Sequence, residues 1–198
     1  MPRVKRRMTR AAGFTLIEMM VTIALMCVLM MLAMPSFTTW VANNKVRTVS
    51  DSLQNGLRFA QSEALRRSRP MVFSLTNSAA PDTSLTAVSN GSNWSINVSK
   101  SSLDAKSVFV QSGVLGDVAS GVGITGPAAV CFNAMGRLAS NTGTGVNGAS
   151  CDPVPPVAVY KINATNSDRP LQVLVGLGGQ VRMCDPARKL ANSPDGCP

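Results

Sequence analysis

The sequence predicts an α+β protein: a long N-terminal helix, transmembrane in its first half, packed on a small antiparallel β-sandwich. Three observations carry this expectation. Residues 14–42 hold no charge except Glu18. Beyond Trp40, apolar residues recur at spacings of three and four as far as Pro70. From Met71 onward, short runs rich in Val, Ile, Phe and Tyr are separated by Gly, Ser, Asn and Pro clusters, the signature of short strands and turns.

The apolar stretch is long enough to cross a bilayer core, which needs about 20 apolar residues. Pro35 removes a helical hydrogen bond and predicts a kink or local loosening. Met19, Met20, Met26, Met30, Met31 and Met34 give an adaptable packing surface, suited to lipid and to other helices alike. Past residue 42, Val46, Val49, Leu53, Leu57, Ala60 and Ala64 form one stripe, and Arg47, Asp51, Asn55, Arg58, Ser62, Arg66 and Arg69 another. Glu63 and Arg67 are spaced and ordered for a helical ion pair. Pro70 ends the helix near residue 68. Seven strands follow: Met71–Leu75, Trp94–Val98, Val108–Gln111, Val130–Phe132, Val157–Ile162, Leu171–Val175 and Gln180–Met183. Gly178-Gly179 reads as a hairpin turn, and residues 77–93 and 139–156 read as polar loops. The chain thus parses into a leader (1–13), an apolar helix (14–42), an amphipathic helix (43–69), a β-domain (70–183) and a tail (184–198).

The N-terminus sets direction and chemistry. Arg3, Lys5, Arg6, Arg7 and Arg10 precede Gly13-Phe14-Thr15-Leu16-Ile17-Glu18. Basic flanks stay cytoplasmic, so the remainder faces outward. A carboxylate within an apolar span costs about 2.5–3.5 kcal/mol on insertion scales and calls for a task and a partner. This segment resembles the class III signal of type IV pilins and type II secretion pseudopilins. The resemblance implies cleavage by a prepilin peptidase between Gly13 and Phe14, N-methylation of Phe14, and pairing of Glu18 with the N-terminal amine of a neighbouring subunit during assembly. Pairing with an ammonium offsets part of the cost of a buried carboxylate.

Loss of residues 1–13 removes five basic residues and no acid, lowering the formal charge from +9 to +4. The high pI therefore belongs largely to the leader and does not by itself indicate nucleic-acid binding. Cys27, in the apolar helix, is expected to be a lone buried thiol. Cys131, Cys151, Cys184 and Cys197 lie in the exported part, where an even count implies two disulfides. Four cysteines allow three connectivities. Sequence proximity favours Cys131 with Cys151 and Cys184 with Cys197, each worth about 3 kcal/mol in the chain-entropy model. Without a histidine or a C-x-x-C pair, the sequence offers no metal site. The absence of histidine and the scattered carboxylates argue against catalysis, and no cofactor is expected.

A strand-rich domain behind such a helix is similar to the GspH/FimT family of minor pilins and pseudopilins. Cys131-Phe132-Asn133-Ala134-Met135-Gly136-Arg137 resembles the family's strand-then-turn segment around a Gly-Arg pair. Gly179-Gln180-Val181-Arg182-Met183-Cys184 resembles its final strand leading into a cysteine-closed tail. The resemblance implies a structural subunit anchored in the inner membrane with a periplasmic domain. Other pilins or pseudopilins would be its partners in a filament, in the assembly-priming or tip complex of a type IV pilus, or in a type II secretion pseudopilus. Some FimT-type pilins bind DNA through a Gly-Arg-x-Arg motif; here the first arginine of that motif is Gln180. Arg182, Arg188 and Lys189 remain as candidate phosphate contacts, with Asp185 and Asp195 reducing the tail's net charge to +1. Arg58, Arg66, Arg67 and Arg69 form a second basic group, read as a solvated or subunit-contact surface.

Overall fold

A computed structural model of the chain describes residues 13–101, 106–116 and 119–198. The leader other than Gly13 lies outside the described residues. One helix, α1 (Leu16–Arg67), precedes nine strands: β1 (Met71–Thr76), β2 (Asn93–Val98), β3 (Val108–Gly113), β4 (Val122–Thr125), β5 (Ala129–Phe132), β6 (Val157–Ala164), β7 (Leu171–Gly176), β8 (Val181–Lys189) and β9 (Gly196–Cys197). The chain divides into two compact units between Thr38 and Thr39.

Thr15 starts α1. Its hydroxyl accepts the Glu18 amide at 3.2 Å and its carbonyl accepts the Met19 amide at 3.2 Å. A threonine cap three residues before a glutamate is the spacing of a capping box, and an acid in the first turn complements the helix dipole. At the other end Ser68 takes a left-handed conformation (φ 51°), and the Arg69 amide reaches back to the Ala64 carbonyl at 3.2 Å. That closes the last turn before Pro70. Pro35 lies within the helix.

In the second unit, the predicted stripe Val46, Val49, Leu53, Leu57, Ala60 and Ala64 is fully buried. It joins Met71, Phe73 and Leu75 of β1 and Tyr160, Ile162, Val173 and Val175 of β6 and β7 in one core. Gly56 lets the helix come close: a Cβ there would stand 3.1 Å from the Trp94 ring and 3.2 Å from Phe73. The Trp94 indole N–H donates to Ser52 Oγ at 3.2 Å. Phe73 stacks on Trp94 at 5.7 Å and meets Tyr160 edge-on at 6.2 Å. The Tyr160 hydroxyl is buried with no hydrogen-bond partner among the described residues, and burial pushes its pKa up.

The strands form two sheets, ordered β3-β2-β1-β5 and β4-β6-β7-β8-β9. Two strands were not foreseen. β4 is a four-residue strand whose apolar pattern is interrupted by Gly123, and β9 is only two residues long and pairs in parallel with β8, so the second sheet is mixed rather than purely antiparallel. β8 also continues to Lys189, well beyond the expected end at Met183. The regions read as polar loops hold a second, smaller core. Ala87, Val146, Ala149 and Cys151 cover Val72, Ala129 and Cys131 of β1 and β5. That explains why β1 is buried at all six positions rather than at alternate ones. Cys131–Cys151 and Cys184–Cys197 are disulfides, with Cα atoms 5.8 and 5.0 Å apart. Cys27 is free and exposed, not buried, because no packing partner among the described residues covers that face.

Candidate assembly segment and basic tail

The candidate processing and assembly residues are contiguous. Gly13 and Phe14 precede α1 and are exposed, and a Cβ at Gly13 would meet nothing within 4 Å. Glu18 stands in the first turn, exposed, with no cationic partner for its carboxylate among the described residues. Around it, Leu16, Ile17, Met19, Met20, Ile23, Met26, Leu29, Met30 and Met34 are each more than half exposed. Apolar surface of this extent requires lipid or protein cover. By length and composition, no single helix among the described residues crosses a membrane alone; the segments Leu16–Leu32 and Met34–Arg67 meet that requirement together.

The tail is built differently from a free basic patch. Arg182 donates to the carbonyls of Pro194 and Gly196 at 2.7 and 2.9 Å, holding the end of the chain against β8. Arg188 pairs with Asp195 at 2.8 Å and Asp185 at 3.7 Å. The Ser193 hydroxyl also donates to Asp195, and that bond is the largest cause of its lowered pKa, with Arg188 contributing. Of the three candidate DNA contacts, two are thus engaged within the chain, Arg182 by backbone carbonyls and Arg188 by carboxylates. A cleft of about 290 Å³ beside the tail is lined by Arg47, Arg169 and Arg188 and by Asp185 and Asp195. Its mixed signs do not make the one-sided positive field that phosphate binding favours. Asn43 anchors its rim by donating to Asp168 at 2.6 Å and accepting from Ser167 at 2.9 Å.

The basic group of α1 is also engaged. Arg66 forks onto both oxygens of Glu63 at 2.8 and 2.7 Å, and Arg67 reaches Oε2 at 2.6 Å. Glu63 is only 6% exposed. Hydrogen bonds from Arg66, then Arg67, lower its pKa from 4.5 to about 2. The expected Glu63–Arg67 pair is therefore a triad, and the added partner was legible in the adjacent Arg66 at spacing three. Arg58 donates to the Val181 carbonyl at 3.2 Å, and Arg69 to Ser101 Oγ at 3.2 Å.

Sequence reasoning missed a junction of three elements. Gln61 on α1 donates to the Gly136 carbonyl at 3.1 Å. The β7–β8 turn abuts the same carbonyl: a Cβ on Gly179 (φ +87°) would lie 1.9 Å from Gly136 O. The Leu138 amide donates to Leu177 O at 3.1 Å. Gly136 and Gly179, read only as turn residues, are where the two turns and the helix touch.

Residues 8–34 match the prokaryotic N-terminal methylation motif. Residues 49–179 match the family described as Type II transport protein GspH. The chain belongs to the GspH family. It is a pilin-like protein whose exposed apolar helix carries the methylation motif and whose β-domain carries the GspH match. The disulfide-closed tail from Cys184 lies beyond the GspH-matched residues. No curated protein is significantly similar in sequence. Among solved structures, two crystal forms of the type IV minor pilin FimU of Pseudomonas aeruginosa (strain PAO1) are similar. One is 18% identical with a TM-score of 0.49, covering 73% of this chain and 92% of that one. The other is 16% identical with a TM-score of 0.47, covering 72% and 94%.

Proposed function

We propose that this GspH-family chain is a minor pilin. It is cut after Gly13, methylated at Phe14, held in the inner membrane with its second unit in the periplasm, and incorporated into a type IV pilus-like filament as part of the assembly-priming or tip complex. The observation that carries the reading is the apolar N-terminal helix, exposed along its length, with Glu18 as its one acid. Such a surface needs cover from lipid before assembly and from other helices afterwards. The carboxylate sets register by pairing with the N-terminal amine of the next subunit. The protein acts as a structural subunit and not as an enzyme.

The family match favours one further reading, a type II secretion pseudopilin. Deletion separates the two. Loss of surface pili with intact protein secretion supports the pilus reading, and the reverse sinks it. Processing has its own test. Gly13→Leu should leave the leader on, seen as a larger band in membranes; a mature-sized band in that variant would remove the cleavage assignment. DNA uptake has less support, because Arg182 and Arg188 are occupied within the tail.

A further inference from the structure

The three-element junction carries an exposed apolar patch that filament assembly through the N-terminal helix does not use. Leu65 of α1, Met135 of the turn after β5 and Leu177 of the β7–β8 turn are 53%, 70% and 52% exposed. The segments that carry them meet at this junction. A Cβ on Gly136, next to Met135, would stand 3.2 Å from Leu65 Cγ, and Leu177 O accepts the Leu138 amide. At 100° per residue, Gln61 and Arg58 share the flank of α1 on which Leu65 lies, and Glu63 falls on the opposite flank, where Arg66 and Arg67 hold it. Arg58 binds a backbone carbonyl rather than a carboxylate, and Arg137 has no acidic partner among the described residues. The charged residues that accompany the patch, Arg58 on the same flank of α1 and Arg137 next to Gly136 in the chain, are therefore both positive. Exposed Met and Leu bordered by Arg is the composition of an interface core and its rim.

We infer that this junction docks a different polypeptide, one presenting an apolar centre flanked by carboxylates. A second copy set patch to patch is disfavoured, because it opposes Arg58 and Arg137 to their own copies. A nucleic acid is disfavoured too, because it would leave Met135, Leu65 and Leu177 uncovered and find no aromatic platform there. The site lies in the second unit, so it adds a lateral contact to the helix-mediated one.

The test uses the processed full chain in phosphatidylcholine nanodiscs, with empty nanodiscs as reference. The probe is a synthetic helical peptide with one leucine face flanked by glutamates, and the control replaces each glutamate by lysine. The glutamate peptide should bind above the reference and the lysine peptide should not. Met135→Ser and Leu177→Ser should each weaken binding about tenfold. Arg137→Glu should abolish it, and Arg137→Lys should restore it to within a few-fold. These positions are exposed, so melting temperatures should be unchanged, which separates loss of binding from loss of fold. Four results would each overturn the inference: no binding above empty nanodiscs, equal binding of the two peptides, indifference to Met135→Ser, or binding of duplex DNA that Arg137→Glu abolishes and Met135→Ser does not.

Discussion

Glu63 is the residue at which charge and burial meet most directly. Its carboxylate is nearly buried yet bridged by two guanidinium groups, which hold its pKa at about 2 against an ordinary 4.5. A depressed folded-state pKa gives stability that is complete above the unfolded value and lost as pH falls through the folded one. Urea unfolding of the processed chain in nanodiscs should therefore find a constant stability gap between wild type and Glu63→Gln above pH 4.5. The gap should shrink steadily from pH 4.5 towards pH 2. A gap that stays flat across that window would show that the triad is not ionised as described. At the same scale, Glu18 stands at the start of the helix with its carboxylate exposed. It occupies the third helical position behind the Thr15 cap, where an acid helps the helix start. In the proposed assembly, its carboxylate is the group that meets a neighbouring subunit.

Among the elements, the turns decide how the sheets and helix meet. Gly178 and Gly179 are adjacent in sequence but not equivalent in space. A Cβ on Gly179 collides with the Gly136 carbonyl at 1.9 Å and must also tolerate φ +87°, whereas one on Gly178 meets only the Gln180 side chain at 3.4 Å or more. Gly179→Ala should cost at least about 2 kcal/mol, and Gly178→Ala well under about 1 kcal/mol. Thermal unfolding of the two variants checks this; equal losses would mean that the turns do not abut. The junction also marks where sequence reading stops. The buried stripe from Val46 to Ala64 was legible because helical periodicity is a local signal. The seven main strands were legible through β-branched runs and turn residues. β4 was hidden by Gly123, and β9 by its length. The second core beneath Cys131 was hidden because its covering residues, Ala87, Val146 and Ala149, come from segments with no periodicity. The contact between Gly136 and Gly179 joins residues far apart in the chain, and no local pattern encodes it.

At the scale of the whole molecule, the two family matches fall in different units. The first carries the methylation motif and an apolar surface left uncovered by the described residues. The second carries the GspH match, which holds the Cys131–Cys151 disulfide, and the tail closed by Cys184–Cys197. The N-terminal methylation motif was legible, because a glycine, a short spacer and one acid in an oily run form a linear signal. The tail was only half legible. Its cations and cysteines were visible, but the bonds from Arg182 to Pro194 and Gly196 depend on how the chain returns along β8. The most direct test of the filament reading is replacement of Glu18 by Ala, comparing the membrane fraction with sheared filaments. The variant should insert and be processed at the wild-type level, yet be depleted about tenfold or more from the filament fraction, as expected if one buried ion pair fixes register. Wild-type entry into filaments would contradict that role and leave Glu18 as a helix-capping residue alone.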